Sequence, residues 1–369
     1  MTRLGRTVLA ALLAAVLATQ GCRATDRGAR PSPPADLARA ARLAAAAIRT
    51  HQSPHGYWSN GYTPGPVFNR PARETNISIN AFLVELLEPI APQTQLADVV
   101  ELARGFLRRQ VEASGLVRYH GRPEATSIRP RPCDVITPDA DDTALVWRLA
   151  PPASSALLPA ALDVLERFRS EDGLYRTWLA EPEDFQCLNP GRDPNPADIG
   201  INMHVYLLLA RHDPGAARRL CAALRASIAE DRVWVYCEVA PLVQLLREVD
   251  LTRSGCPLRV PARRLQRAPA HQQPYMALAQ LYRALLLAEH PPPSAGAVRR
   301  VLEELAAEDF KQLRLVPPLL YHNDLTASIP RFYWSRDVGY ALWLRVLAAA
   351  ARRFPRQFGT PIGPIPEAG

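Results

Sequence analysis

The sequence predicts an all-α chain, an (α/α)6 toroid of alternating inner and outer helices in a single domain, and three observations carry that expectation. First, Ala, Leu and Arg dominate and β-branched runs are scarce, the composition of good helix formers. Second, the helical stretches fall into two kinds. Some carry Arg and Glu among apolar residues three to four apart, as at Val298, Leu302 and Leu305, and read as outer helices. Others are apolar nearly all round, as in Met203-His204-Val205-Tyr206-Leu207-Leu208-Leu209, and read as buried inner helices. Third, a short segment of apolar and aromatic residues, opened by glycine in three of its four copies, recurs about every 59 residues, at Gly56-Tyr57-Trp58, Gly115-Leu116-Val117-Arg118-Tyr119, Gly173-Leu174-Tyr175 and Arg232-Val233-Trp234-Val235-Tyr236. A repeat of that period signals stacked supersecondary units.

Element by element, outer helices are expected near 36–50, 95–112, 154–170, 214–229, 257–266 and 294–307, with Pro257 and Pro261 weakening the fifth. Their inner partners are expected near 76–88, 140–150, 198–211, 236–249, 273–289 and 335–353. About six of each closes a toroid over 36–354, with the inner helix N-termini and the long polar loops at one end. A Pro-rich C-terminal tail follows at 355–369.

The N-terminus has the layout of a secretory signal over 1–21: Arg3 and Arg6, then an apolar stretch over 8–18 too short to span a bilayer comfortably. Gly21-Cys22 resembles the end of a bacterial lipobox, which implies lipidation of Cys22 and a membrane anchor; a polar, Pro-containing tether over 22–35 precedes the fold. The expected location is the bacterial cell envelope. The formal charge of +8 is spread as Arg doublets over outer helices, which reads as a solvated surface and not a nucleic-acid interface.

Five cysteines follow Cys22, and export makes disulfides feasible. Cys133 and Cys187 sit in loops just before inner helices at the same end, so they are a candidate pair if their Cα atoms lie within ~7 Å. The odd count leaves a thiol free, and Cys221, inside an amphipathic stretch, is read as the buried one. No cysteine or histidine spacing fits a zinc site, so no metal or cofactor is expected.

The chemistry is concentrated in Asp139-Ala140-Asp141-Asp142-Thr143-Ala144, just before the run Leu145-Val146-Trp147. Three carboxylates in four residues repel one another, and a helix N-terminus is where free N–H groups and the macrodipole offset that cost. Crowding pushes one carboxyl upward, so one acid can stay protonated. A held proton of that kind is what protonating an alkene or epoxide needs. The same residues also read as a helix cap, with Asp141 or Asp142 at the capping position.

This string resembles the DxDDTA box of class II terpene cyclases, the squalene–hopene and diterpene cyclase group. Gln52-Ser53-Pro54-His55-Gly56-Tyr57-Trp58 likewise matches QxxxGxW, the structural repeat of squalene-cyclase and prenyltransferase-like toroids. The resemblance implies that Asp141 is the proton donor, held by Asp139 and Asp142. It also implies that Gln52 caps a helix end and Trp58 stacks on the next repeat. His204, about 63 residues after Asp141 on the next inner helix, is a candidate to polarise the cluster. Arg129 and Arg131 are candidates to clamp a diphosphate, and Tyr206, Tyr333 and Trp334 to line an apolar site. The polar and aromatic segment from Tyr321 to Asp337 reads as a loop able to roof a cavity. An isoprenoid or other apolar ligand is the expected partner. Two alternatives stay open: a non-catalytic envelope protein whose toroid mouth binds a ligand or partner, and a carbohydrate-active toroid using Asp139 and Asp142 as paired carboxylates.

Overall fold

The computed structural model describes residues 36–121, 137–181, 195–323, 325 and 330–359. The signal segment and the whole tether with Cys22 lie outside these residues, as do Arg129, Arg131, Cys133, Cys187 and residues 360–369 of the C-terminal tail. The main helices are α1 (Leu37–His51), α2 (Ile77–Leu87), α3 (Ala97–Arg108), α4 (Ala140–Leu149), α5 (Leu158–Arg167), α6 (Ile199–His212), α7 (Pro214–Ala229), α8 (Leu242–Arg253), α9 (Gln273–Leu287), α10 (Ala295–Leu315) and α11 (Arg336–Arg353). Helices α2, α4, α6, α8, α9 and α11 each pack on the next, and α11 packs back on α2, so the inner ring closes. Around it, α3 packs on α2 and α4, α5 on α4, α7 on α6, and α10 on α9 and α11, while α1 packs on α11. Burial follows the sequence pattern. In α4 every residue from Asp142 to Leu149 is buried, whereas α5 buries only Leu158, Ala161 and Leu165.

The recurring glycine segment is the joint of this ring. Gly56, Gly115 and Gly173 have φ of +97°, +82° and +84°, the region that costs an L-residue about 1–2 kcal/mol. Side chains would also collide there: a Cβ on Gly56 would lie 2.4 Å from the Leu102 carbonyl oxygen, and one on Gly115 2.6 Å from that of Leu157. Two residues after each glycine, the backbone is held by the fourth residue of an inner helix. Trp58 N donates to Asn80 Oδ1 at 2.8 Å, Val117 N to Thr143 Oγ1 at 3.0 Å and Tyr175 N to Asn202 Oδ1 at 2.7 Å. Gln52 Nε2 donates to the carbonyls of Gly56 and Val99, and Trp58 Nε1 to that of Ile48. The first N–H of each of the first three inner helices is taken by the following repeat: Ile77 by the Tyr119 carbonyl, Ala140 by Thr177 and Ile199 by Val233.

The structure corrects several expectations. The inner helix expected at 236–249 is Leu242–Arg253, because Val235 and Tyr236 spend their N–H groups on Asp198 Oδ2 and Pro241 then starts the helix. The fifth outer helix shrinks to Ala262–Gln266 behind Pro261. The segment from Tyr321 to Asp337 is not simply a loop. Leu319–His322 and Phe332–Trp334 are strands β3 and β4 of an antiparallel sheet with β1 (Asn60–Thr63) and β2 (Ala72–Glu74), in the order β2-β1-β4-β3. Its aromatic residues satisfy their backbone in the ladder and their faces against one another. Cys221 is not a free thiol. It is disulfide-bonded to Cys256 across a Cα–Cα distance of 5.8 Å, and Cys237 is the buried free thiol among the described residues.

Candidate acid site at the mouth of the inner ring

The three inner helices around the box begin in the same way: Asn76, Asp139 and Asp198 are their N-caps. Asp139 Oδ1 accepts from Asp142 N at 2.7 Å, so Asp139 is the cap, not Asp141 or Asp142. Asp141 and Asp142 fill the first turn, where unpaired N–H groups and the positive end of the dipole favour negative charge. This placement is why three carboxylates fit in four residues.

The three acids have different surroundings. Asp139 and Asp142 are buried, and the Oδ2 atom of each is buried without a hydrogen-bond partner. Burial, then the neighbouring aspartate charges, push Asp139 up to about 8 and Asp142 well above the usual carboxylate range. Asp141 keeps a side-chain exposure of 20%, so of the three it alone has a route to a substrate. Its Oδ1 meets His204 Nδ1, and its Oδ2 lies 3.2 Å from Ser78 Oγ. Ser78, in the first turn of α2, also donates to Asp142 Oδ1 at 2.7 Å.

Below Asp141, the space between α2, α4, α6 and α8 holds charged side chains. Arg247 Nε donates to His204 Nε2 at 2.7 Å, and Arg247 Nη1 pairs with Glu85, whose other oxygen lies 2.5 Å from Arg148 Nη1. Arg247 is 1% exposed and lies against the Phe82 ring. Burial lowers both Arg148 and Arg247 to about 10. A ligand acting on Asp141 must therefore approach from the mouth, not from within the ring.

At that mouth stands a tyrosine cluster. The hydroxyls of Tyr119 and Tyr321 lie 3.1 Å apart, Tyr119 donates to Glu74 Oε1 at 3.0 Å, and Tyr321 and Tyr333 pack with ring centroids 4.7 Å apart. Asn76, the N-cap of α2 and two residues before Ser78, donates Nδ2 to the Tyr119 hydroxyl at 3.0 Å, which ties the cluster to the start of that helix.

Of the residues singled out from sequence, the structure brings together Asp139, Asp141, Asp142 and His204, with Tyr333 nearby. It separates two others. Tyr206 donates to the Ser254 carbonyl at 2.6 Å, at the C-terminal end of α8 and away from the box. Trp334, next to Tyr333 on β4, faces the other side of the strand, with Nε1 donating to Thr63 Oγ1 and its ring beside Phe68 and His271. Ser78, Glu85, Arg148 and Arg247 did not emerge from the sequence. Lone charges in otherwise apolar inner stretches, such as Arg247 in Leu245-Leu246-Arg247 and Glu85 after Val84, were the available signal, since buried charges need partners.

No family model matches the chain, and no curated protein matches it. Several solved structures are similar in chain course, three of them as follows. One is a protein from Actinoplanes, at 13% identity and a TM-score of 0.46 over 86% of this chain and 100% of that one. The others are two variants of the type II terpene cyclase MstE from Scytonema. The variant in complex with geranylgeranyl dihydroxybenzoate has 15% identity and a TM-score of 0.48 over 86% of this chain and 98% of that one. The apo variant has 12% identity and a TM-score of 0.47 over 86% and 97%.

Proposed function

We propose that the chain cyclises an isoprenoid by protonating it, with Asp141 as the general acid. One observation carries this reading. Asp141 is the partly exposed member of a carboxylate trio whose other two members are buried, and both of its oxygens are held, one by His204 and one by Ser78. An acid held at both oxygens is oriented for proton delivery to a substrate alkene. The tyrosine cluster supplies ring faces that favour the carbocation formed by that step. The carbohydrate-active alternative needs two carboxyls facing a sugar, whereas Asp139 and Asp142 are both buried and Asp139 spends Oδ1 on capping Asp142 N.

The test incubates the protein with squalene, geranylgeranyl diphosphate and shorter prenyl diphosphates, beside Asp141→Asn. Conversion by the wild type and its loss in the variant supports the reading. Failure of the wild type to convert any of them overturns it in favour of a ligand-binding toroid.

The same reading places the protein in the cell envelope, anchored through Cys22. The Cys221–Cys256 disulfide is consistent with an oxidising compartment. Intact-mass analysis of membrane fractions should find a lipidated N-terminal Cys22, and an unmodified N-terminus would reject the anchor.

A further inference from the structure

We infer that Arg247 is a positioning residue that fixes the tautomer of His204, and through it decides which oxygen of Asp141 carries the proton. The tautomer follows from hydrogen-bond geometry alone; its meaning for catalysis rests on the proposed acid role of Asp141.

The argument counts donors. A guanidinium has only N–H groups and cannot accept. Arg247 Nε points at His204 Nε2 across 2.7 Å, so Nε2 must present its lone pair and carries no proton. A neutral imidazole then has its one N–H at Nδ1, which is the atom facing Asp141 Oδ1. His204 is thereby a donor to Asp141 and not a source of a second positive charge beside the box. Arg247 cannot turn away to release it. It is 1% exposed, its Nη1 pairs with Glu85, and Glu85 is held in turn by Arg148 at 2.5 Å. The guanidinium also rests on Phe82 at 5.1 Å, which fixes its plane.

The consequence runs upward to the acid. With Oδ1 occupied as an acceptor, a protonated Asp141 holds its hydrogen on Oδ2. That oxygen lies 3.2 Å from Ser78 Oγ, whose own hydrogen goes to Asp142 Oδ1 at 2.7 Å. Every donor between Arg247 and Asp142 then has one acceptor, and no two hydrogens face each other. If His204 held its hydrogen on Nε2, that N–H would face the Arg247 N–H, and Asp141 Oδ1 would lose its donor. The Arg247–Glu85–Arg148 string therefore does more than fill the ring: it sets the direction in which Asp141 can deliver a proton.

The experiment is nitrogen NMR of 15N-histidine-labelled protein at neutral pH, with His204 identified by the signal missing from His204→Gln. The expected result is a protonated Nδ1 and an unprotonated Nε2. In Arg247→Met, Nε2 has no donor facing it, and its resonance should move toward the protonated range while Asp141 turnover falls at least tenfold. Glu85→Gln keeps Arg247 in place and should leave the His204 signature unchanged. A wild-type His204 with a proton on Nε2, whether as the other tautomer or as imidazolium, overturns the inference even if Arg247→Met does not fold. Absence of isoprenoid turnover would instead overturn the acid role and leave the tautomer standing.

Discussion

Ser78 Oγ of α2 lies 2.7 Å from Asp142 Oδ1 and 3.2 Å from Asp141 Oδ2 of α4, so one hydroxyl ties two inner helices together at the acid box. It gives the buried Asp142 a donor and gives Asp141 a fixed neighbour. The carboxylate trio is thus held by the ring and not only by its own helix.

Ser78→Ala should leave Asp142 Oδ1 buried without its donor, at a cost of about 1–3 kcal/mol. Ser78→Thr keeps the hydroxyl and should recover most of the loss. Urea unfolding of the two variants checks this, and a Ser78→Ala midpoint equal to the wild type would contradict it.

The Asp139–Asp142 pair makes stability fall with rising pH. Unfolded aspartates release their protons near ~4, whereas burial and mutual repulsion raise Asp139 to about 8 and Asp142 in the same direction. Above ~4 the folded state therefore holds more protons than the unfolded one, and stability declines toward pH 8. His51 acts with the same sign, because its hydrogen bond to Asp337 raises it in the folded state, so its contribution is lost as pH rises through that raised value. Asp139→Asn keeps the cap and removes one of the raised carboxyls while leaving His51 untouched. Its unfolding midpoint should fall less than that of the wild type between pH 5 and 8. Parallel curves would contradict the raised Asp139 carboxyl.

Cys221 and Cys256 tie α7 to the chain leaving α8 across a separation of 35 residues. Cys256→Ser should cost about 2–4 kcal/mol, read as a lowered urea midpoint. Reduction of the wild type should lower it by a similar amount, and the variant should not respond to reductant through this pair. Equal midpoints for oxidised and reduced wild type would contradict the cross-link.

Much of this fold is written in the order of the chain. The inner stretches announce themselves because a helix apolar on every face must be enclosed, and α4 and α6 are. The acid box is legible because a carboxylate run before an apolar run has few stable places other than a helix start. Which aspartate caps was not legible from the box alone. Aligning the repeats would have shown it, since Asn76, Asp139 and Asp198 each precede an inner helix by one position. The sheet was hidden because β1 and β4 are short and 269 residues separate pairs such as Thr63 and Phe332, which local patterning cannot connect. The Cys221–Cys256 bond has the same origin, as α8 begins later than its apolar pattern suggests and carries Cys256 to the side of α7.

The most direct test of the central claim follows the proton itself. Wild type and Asp141→Asn are incubated with squalene and with geranylgeranyl diphosphate in D2O, and products are analysed by mass spectrometry. A solvent-exchanged acid adds one deuteron to a substrate alkene and a substrate hydrogen is lost at termination, so each cyclised product should carry one deuterium on carbon. Asp141→Asn should fold as the wild type does and lose about 10²–10⁴ in rate. A cyclised product without deuterium, or undiminished turnover by Asp141→Asn, would contradict the account.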